Sequence, residues 1–393
     1  MKTYGKKTVP HAWLVLAVWL TIVALAVVFT LTGSFSAPHP QASVMDHAAK
    51  LAERAMRAVK QYKTEHSIAL SPDDKLQTGM IGSGEYTSIT TTDGVLESKR
   101  TSCNPNWAAV IVGFFAKAGL KKGDQAVLVF SGSFPAMNLC AMAAAEAYGL
   151  DFRVMAGIGA SYYGANDPNF TFFDMAEYLY SAGVLHHRVD LVSLGGNDDV
   201  GTDFSDEVEK TAILERIRAS GVQFLYEEDF RTNIDLRLEY LQKELPRLGF
   251  VLNVGGSMVG LGTGWDSFLE SGYFSPPLYT TVSVAGRNPS YGLLQCGRLM
   301  HLPVASLLNL QRLAERYGLP YDPDTAPVAG TESGYACYRH TTYPIGYAVA
   351  ALVLSAALAA LFVWLKKHRA VPIAATERNY IGRDEVFAPP PKK

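Results

Sequence analysis

The sequence predicts an α/β fold: a doubly wound, mostly parallel sheet in an extracytoplasmic domain flanked by two transmembrane helices. Three observations predict it. Short, continuously apolar runs such as 126–130 and 250–254 alternate with helical patterns, as strands do when helices cover both faces of their sheet. The helical patterns separate those runs by about 15 residues, the scale of a βαβ crossover. Two stretches without a charged side chain, 12–32 and 344–365, bracket the whole.

Each bracketing stretch is long enough, at about 1.5 Å per helical residue, for a ~30 Å hydrocarbon core. Lys2, Lys6 and Lys7 precede the first. Lys366, Lys367 and Arg369 follow the second, whose ends carry Tyr343, Tyr347 and Trp364. The positive-inside rule then places both termini in the cytoplasm and the intervening chain outside a cytoplasmic membrane crossed twice. A cleaved signal peptide ending near Ser34-Phe35-Ser36 is the alternative for the first stretch, although its apolar core exceeds the usual about 7–15 residues. The expected boundaries are a tail 1–11, a span 12–32, a linker and amphipathic helix 33–72, and the domain 73–330. A linker 331–343, a span 344–365 and a basic tail 366–393 complete the chain.

The 393 residues are 48% hydrophobic and 18% charged with a formal net charge of −2, which excludes disordered, collagen-like and basic nucleic-acid-binding chains. Three lysines in the first tail and a net +4 after residue 365 leave the region between near −9. An acidic region has no electrostatic reason to seek nucleic acid. Cys103, Cys140, Cys296 and Cys337 form no CxxC pair. Cys140 falls within an apolar helical pattern, leaving room for one bridge among the other three.

Within the central region, 43–66 repeats apolar positions at helical spacing behind Ser43, a natural cap. Short segments follow at 80–82 and 88–92. Helices are then expected at 107–118, 135–148, 172–182, 206–220, 233–245 and 305–317. Strands are expected at 126–130, 152–157, 189–194, 222–226 and 250–254. The stretch 255–289 is dense in glycine and proline and less regular.

Open α/β sheets bind ligands beyond the carboxyl ends of their strands, so the turns there hold the candidates. Ser131, Gly132 and Ser133 join a strand to a helix that begins with Pro135, where free N–H groups suit a carboxylate. Gly157 to Ser161, with Asn166 and Asp167 beyond, offers close backbone approach and side-chain acceptors. Gly196, Asn197, Asp198 and Asp199 form a carboxylate-rich turn. It offers a general base or a hard-cation site, so a divalent cation is a minor option, although the spacing is not an EF-hand. Gly256 and Ser257 open a fourth glycine-rich turn. Position 162 is Tyr, so no dinucleotide fingerprint forms, and neither a P-loop nor HExxH occurs. GxSxG is absent: Ser131 precedes Ser133 by two, and Ser161 and Ser257 lack glycine two residues on. A triad of Ser133, Asp198 and His301 is the weak alternative.

Seven runs carry a wider resemblance: 74–82, 88–94, 96–101, 104–108, 131–138, 164–170 and 194–201. Across roughly 70–320 the chain resembles the bacterial poly-gamma-glutamate system proteins, which accompany the membrane machinery making capsular or secreted poly-γ-glutamate. The resemblance implies a role in making, exporting or processing that polymer, with the synthase complex and glutamate or poly-γ-glutamate as partners. It implies no catalytic residues. A polyanion would call for a local basic patch, from Lys99 and Arg100 or from Arg287 and Arg298, though each reads first as a surface charge. The expected function is binding of a glutamate-type ligand or the polymer. A γ-glutamyl hydrolase or transferase using Asp198 or Asp199 with a serine, and a non-catalytic scaffold, are the alternatives.

Overall fold

The structure, a computed structural model, describes residues 36–264 and 271–341, with short helical runs within 16–24 and 353–364. The chain divides into a unit 38–340 and a unit made of the two terminal segments.

The two flanking membrane spans are not supported. Among the described residues no helix is long and apolar enough to cross a membrane. A span needs about 20 consecutive apolar helical residues. Most of 12–32 and 344–365 lies outside the described residues. The two-pass topology with cytoplasmic termini, and the membrane localisation built on it, are corrected accordingly.

The unit 38–340 is α/β with a mixed sheet. Its strands are β1 (Thr90–Thr92), β2 (Gln125–Phe130), β3 (Asp151–Gly157), β4 (Ala160–Ser161), β5 (Leu191–Ser193), β6 (Gln223–Phe224), β7 (Leu248–Val254), β8 (Gly272–Phe274) and β9 (Val304–Leu307). Seven form one sheet in the order β6-β5-β3-β2-β7-β9-β8. Its pairs are parallel except β9 with the edge strand β8. β1 and β4 form a separate two-stranded parallel ribbon.

The period-2 pleat sends neighbouring residues to opposite faces, and both faces are covered. Ala126, Leu128 and Phe130 of β2 join one apolar cluster, while Val127 and Val129 join the other. The first face is covered by α1 (Ala42–Glu65), α3 (Trp107–Lys117), α4 (Pro135–Tyr148) and α5 (Phe172–Ser181). α4 is buried from Pro135 to Ala145, and its alanines let α1 and α3 lie close against it. α1 is thus packed on the domain as a part of its core. Its cap is Gln41 without a side-chain hydrogen bond, so Ser43 does not cap it.

The second face takes α7 (Phe230–Glu244), α8 (Met258–Leu261) and α9 (Leu293–Leu299). α6 (Glu207–Ser220) starts at Asp206, whose carboxylate accepts from the N–H groups of Val208 and Glu209. The helix expected at 305–317 is instead strand β9 and helix α10 (Leu310–Tyr317), divided at Asn309, whose side chain accepts from the Arg312 N–H. Val304-Ala305-Ser306-Leu307 is wholly buried beside β7, a place only a strand can fill. A short helix α2 (Leu96–Ser102) precedes α3.

The chain steps outward from β2 to β3, β5 and β6, then returns to lay β7 against the other side of β2. The direction of winding therefore reverses between β2 and β7, where a crevice opens at the carboxyl ends of the strands.

Candidate functional site

At that reversal lies a cleft of about 450 Å³, within the range of ordinary small-ligand sites. Four strand ends build it. Ser131, Ser133 and Phe134 follow β2; Gly157, Gly159 and Ser161 follow β3; Gly195, Gly196, Asn197 and Asp199 follow β5; Gly256, Ser257 and Met258 follow β7. β1 and α2 close the remaining side with Thr91, Thr92, Asp93, Gly94, Ser98 and Lys99.

The turns hold one another in place. The Gly132 N–H donates to Gly159 O at 3.1 Å, and Gly159 in turn donates to Leu194 O at 2.8 Å. Ser131 N–H reaches Val254 O at 3.3 Å. Gly255 has φ +84°, and a Cβ there would overlap the Ser131 hydroxyl, so the turn after β7 requires glycine. A Cβ on Gly94 would overlap the Tyr162 carbonyl and press on Lys99 Cε.

Lys99 is 2% exposed and lies at the base of the cleft. Its Nζ is 2.6 Å from Ser161 Oγ and donates to the Ser133 carbonyl oxygen. The Phe134 ring centroid is 4.0 Å away. Burial brings its pKa down to about 7. The charge nearest to opposing this is Cys103, and burial pushes that thiol up to about 12, so it stays neutral. Ser133 Oγ accepts from the Ser161 N–H at 3.1 Å, which ties the two serines together. An amine that burial brings to a pKa of about 7, two hydroxyls and a glycine-lined wall thus meet at one point.

The acidic turn serves a different purpose. Asp199 is 3% exposed; its carboxylate accepts from Ser193 Oγ at 2.7 Å, Arg237 Nη2 at 2.7 Å and Asn233 Nδ2 at 3.3 Å. Asp198 and Asp199 adopt φ +50° and +70°, a left-handed turn that aspartate tolerates better than most residues. Asp198 is not among the residues that line the cleft, and its N–H faces Met258 Sδ. Asp203 accepts from the Asn197 N–H at 2.9 Å and from its side chain. Among the described residues no group of three or more His, Cys, Asp or Glu is arranged to hold a metal ion.

Of the residues singled out from the sequence, Ser131, Ser133, Gly196, Asn197, Asp199, Gly256 and Ser257 line the cleft. Gly132 backs it through its hydrogen bond to Gly159. Asn166 does not line it. It is fully buried and staples the 83–90 segment, accepting from the Ser83 N–H at 2.9 Å and donating to Ser83 O at 3.0 Å. Asp167 turns back on its own loop and accepts from the Asn169 N–H. His301 precedes β9 at the opposite end of the sheet, where its ring meets Thr280 and Pro277 O, so no triad with Ser133 forms. Ser133 is not a helix cap; Phe134 takes that position.

The sequence placed Ser161 in a glycine-rich turn and Lys99 in a basic patch, but it did not show that the two meet in the cleft. The basic patch also dissolves: Lys99 and Arg287 are buried, Arg287 being paired with Asp235 at 2.8 Å. The four cysteines are all free. Sixty-two positions separate Lys99 from Ser161, and no motif spacing links them. Comparison with protein-family profiles, with curated proteins and with solved structures gave no match.

Proposed function

We propose that the protein binds a γ-glutamyl ligand, a short γ-linked glutamate oligomer or a segment of poly-γ-glutamate, in the strand-end cleft and serves the synthesis or export of that polymer beside its synthase complex. One observation carries this reading. Four of the seven runs that carry the family resemblance, 88–94, 96–101, 131–138 and 194–201, supply residues to the same cleft. The first two are neighbours in sequence, and the cleft brings them together with two distant ones.

The cleft's chemistry narrows the ligand. Asp93 and Asp203 stand at its wall, and Asp199 is already neutralised by Arg237. A run of free carboxylates threaded through it would meet repulsion. An uncharged γ-amide linkage suits the amine, hydroxyl and glycine backbone at its base. The ligand is therefore one or two γ-glutamyl units presented by their amide, with the outer carboxylates in solvent. The packing of α1 into the core argues against a chain that only tethers other proteins.

Calorimetric titration of the full chain with γ-linked and α-linked glutamate oligomers of equal length tests this. Binding of the γ-linked series alone is expected, weakened by Ser133→Ala and by Gly256→Val. Equal heats for both series, or none for either, would remove the reading. In a polymer-producing cell, deleting the chain is expected to lower polymer yield or change its length.

A further inference from the structure

We propose that Ser161 is a nucleophile and Lys99 its general base, so that the cleft carries out acyl transfer on an amide. The γ-glutamyl identity of that amide rests on the reading above; the serine–lysine chemistry does not.

Three features point to it. Ser161 Oγ and Lys99 Nζ are 2.6 Å apart, within the hydrogen-bond reach that proton transfer from a serine requires. Both side chains are nearly withdrawn from solvent, yet both line the cleft, where a ligand carbonyl can reach them. Among the described residues the lysine has no carboxylate partner; the Ser133 carbonyl and the Phe134 ring favour its charged form, but burial outweighs them and brings its pKa to about 7. A structural buried lysine is ordinarily paired with an acid. Nζ donates to the Ser133 carbonyl and to Ser161 Oγ; once the amine is neutral, the Ser133 bond holds one N–H and the lone pair turns to the Ser161 hydroxyl proton.

The step balances with the groups present. Lys99 Nζ takes the proton of Ser161 Oγ as that oxygen attacks the amide carbon, giving a tetrahedral oxyanion. Ser133, whose Oγ accepts from the Ser161 N–H, turns its own O–H toward that oxyanion. Collapse breaks the C–N bond, and the Lys99 ammonium passes its proton to the departing amine. The ester left on Ser161 is cleared by water or by a second amine, which gives its proton to Lys99 as it attacks. Lys99 then returns a proton to Ser161 Oγ as the C–O bond breaks. Water makes the protein a hydrolase, and an amine makes it a transferase.

The test uses the full chain and a fluorophosphonate probe, read as intact mass and as the peptide labelled. Wild type is expected to label on Ser161, at a rate that rises with pH through about 7 and then levels. Ser161→Ala is expected to lose the label. Lys99→Met is expected to slow labelling at least ~100-fold, the usual scale of general-base catalysis. Lys99→Arg keeps a long basic side chain but stays protonated and cannot act as a base, so it is expected to be as slow. Circular dichroism of each variant shows that it is folded. Because Ser161→Ala is nearly isosteric, it carries the test if a lysine variant does not fold. No label on wild type, a label elsewhere, or labelling unchanged in folded Lys99→Met overturns the inference. Calorimetry of Ser161→Ala with γ-glutamyl dipeptide separates the two proposals. Binding without labelling in wild type sinks the chemistry alone. Labelling of Ser161 without binding or cleavage of any γ-glutamyl compound sinks the ligand alone.

Discussion

Arg237 Nη2 lies 2.7 Å from Asp199 Oδ2, and neither side chain is more than 3% exposed. Asp199 belongs to the turn after β5 that walls the cleft, whereas Arg237 belongs to α7 on the second face of the sheet. The pair thus fixes a functional turn to the core, with Asn233 bonded to both partners.

Removing one member of a buried ion pair leaves the other charge without compensation, which typically costs about 3–5 kcal/mol. Arg237→Met is expected to destabilise on that scale. The double substitution Arg237→Met with Asp199→Asn removes both charges and is expected to recover most of the loss. Urea unfolding midpoints of the three proteins check this. A single variant as stable as wild type would mean that the turn is held by its backbone alone.

The glycine after β7 permits a graded comparison. Gly119→Ala places a side chain at φ +76° in open space, where the left-handed penalty acts alone, about 1–2 kcal/mol. Gly255→Ala carries the same penalty and also drives its Cβ into Ser131 Oγ. It is expected to melt lower than Gly119→Ala and to weaken ligand binding, since Ser131 must move. Equal melting shifts would mean that the hydroxyl yields freely.

The layers of this fold were legible because burial leaves a plain mark on composition. Runs such as 126–130 are apolar at every position, and α4 was readable to its last residue. The helix expected at 305–317 failed because Ala305 to Leu307 has no periodicity of its own, and only the neighbouring β7 decides its state. The cleft was half legible. Glycine and serine at strand ends announce a turn, and topology gathers those turns. Lys99 could not be found this way: LESKRTS reads as a solvated stretch, and its lysine is turned inward by contacts with Ser133, Phe134 and Ser161 that lie far along the chain. Asn166 misled for a related reason. A polar side chain near a cleft serves the fold as readily as the ligand.

Asn166 is fully buried, and its amide also donates to Glu85 O at 3.4 Å and Thr90 Oγ1 at 3.3 Å. It therefore carries the segment that leads into β1. Asn166→Ala would leave the Ser83 N–H without its partner, while the Ser83 carbonyl keeps the Tyr163 N–H at 2.8 Å, so the cost is about 1–3 kcal/mol for one group. Hydrogen exchange at 83–92 is expected to quicken while the β2, β3 and β7 amides keep their protection. Uniform acceleration across the sheet would instead show that Asn166 supports the whole domain.

The pH dependence of stability isolates Lys99. Its folded-state pKa is about 7 against an ordinary 10.5, so between these values the unfolded chain holds a proton that the folded protein lacks. Stability should then rise with pH, because the state that binds more protons is disfavoured as protons are withdrawn. Below about 7 both states are protonated at this group and the penalty of burying the charge is fully present. Other groups bear on the same curve. Burial also lowers the Lys63 pKa, which adds to the rise. Cys103, pushed up to about 12, acts in the opposite direction once unfolded thiols ionise above about 9. The difference between wild type and Lys99→Met cancels both, provided that it is taken over the window from pH 7 to 9. The methionine variant is expected to be the more stable protein at pH 6, and its advantage should shrink steadily as the pH rises through that window. A constant difference would show that Lys99 stays charged in the folded protein, supported by water in the cleft, and would remove the basis for its role as a base.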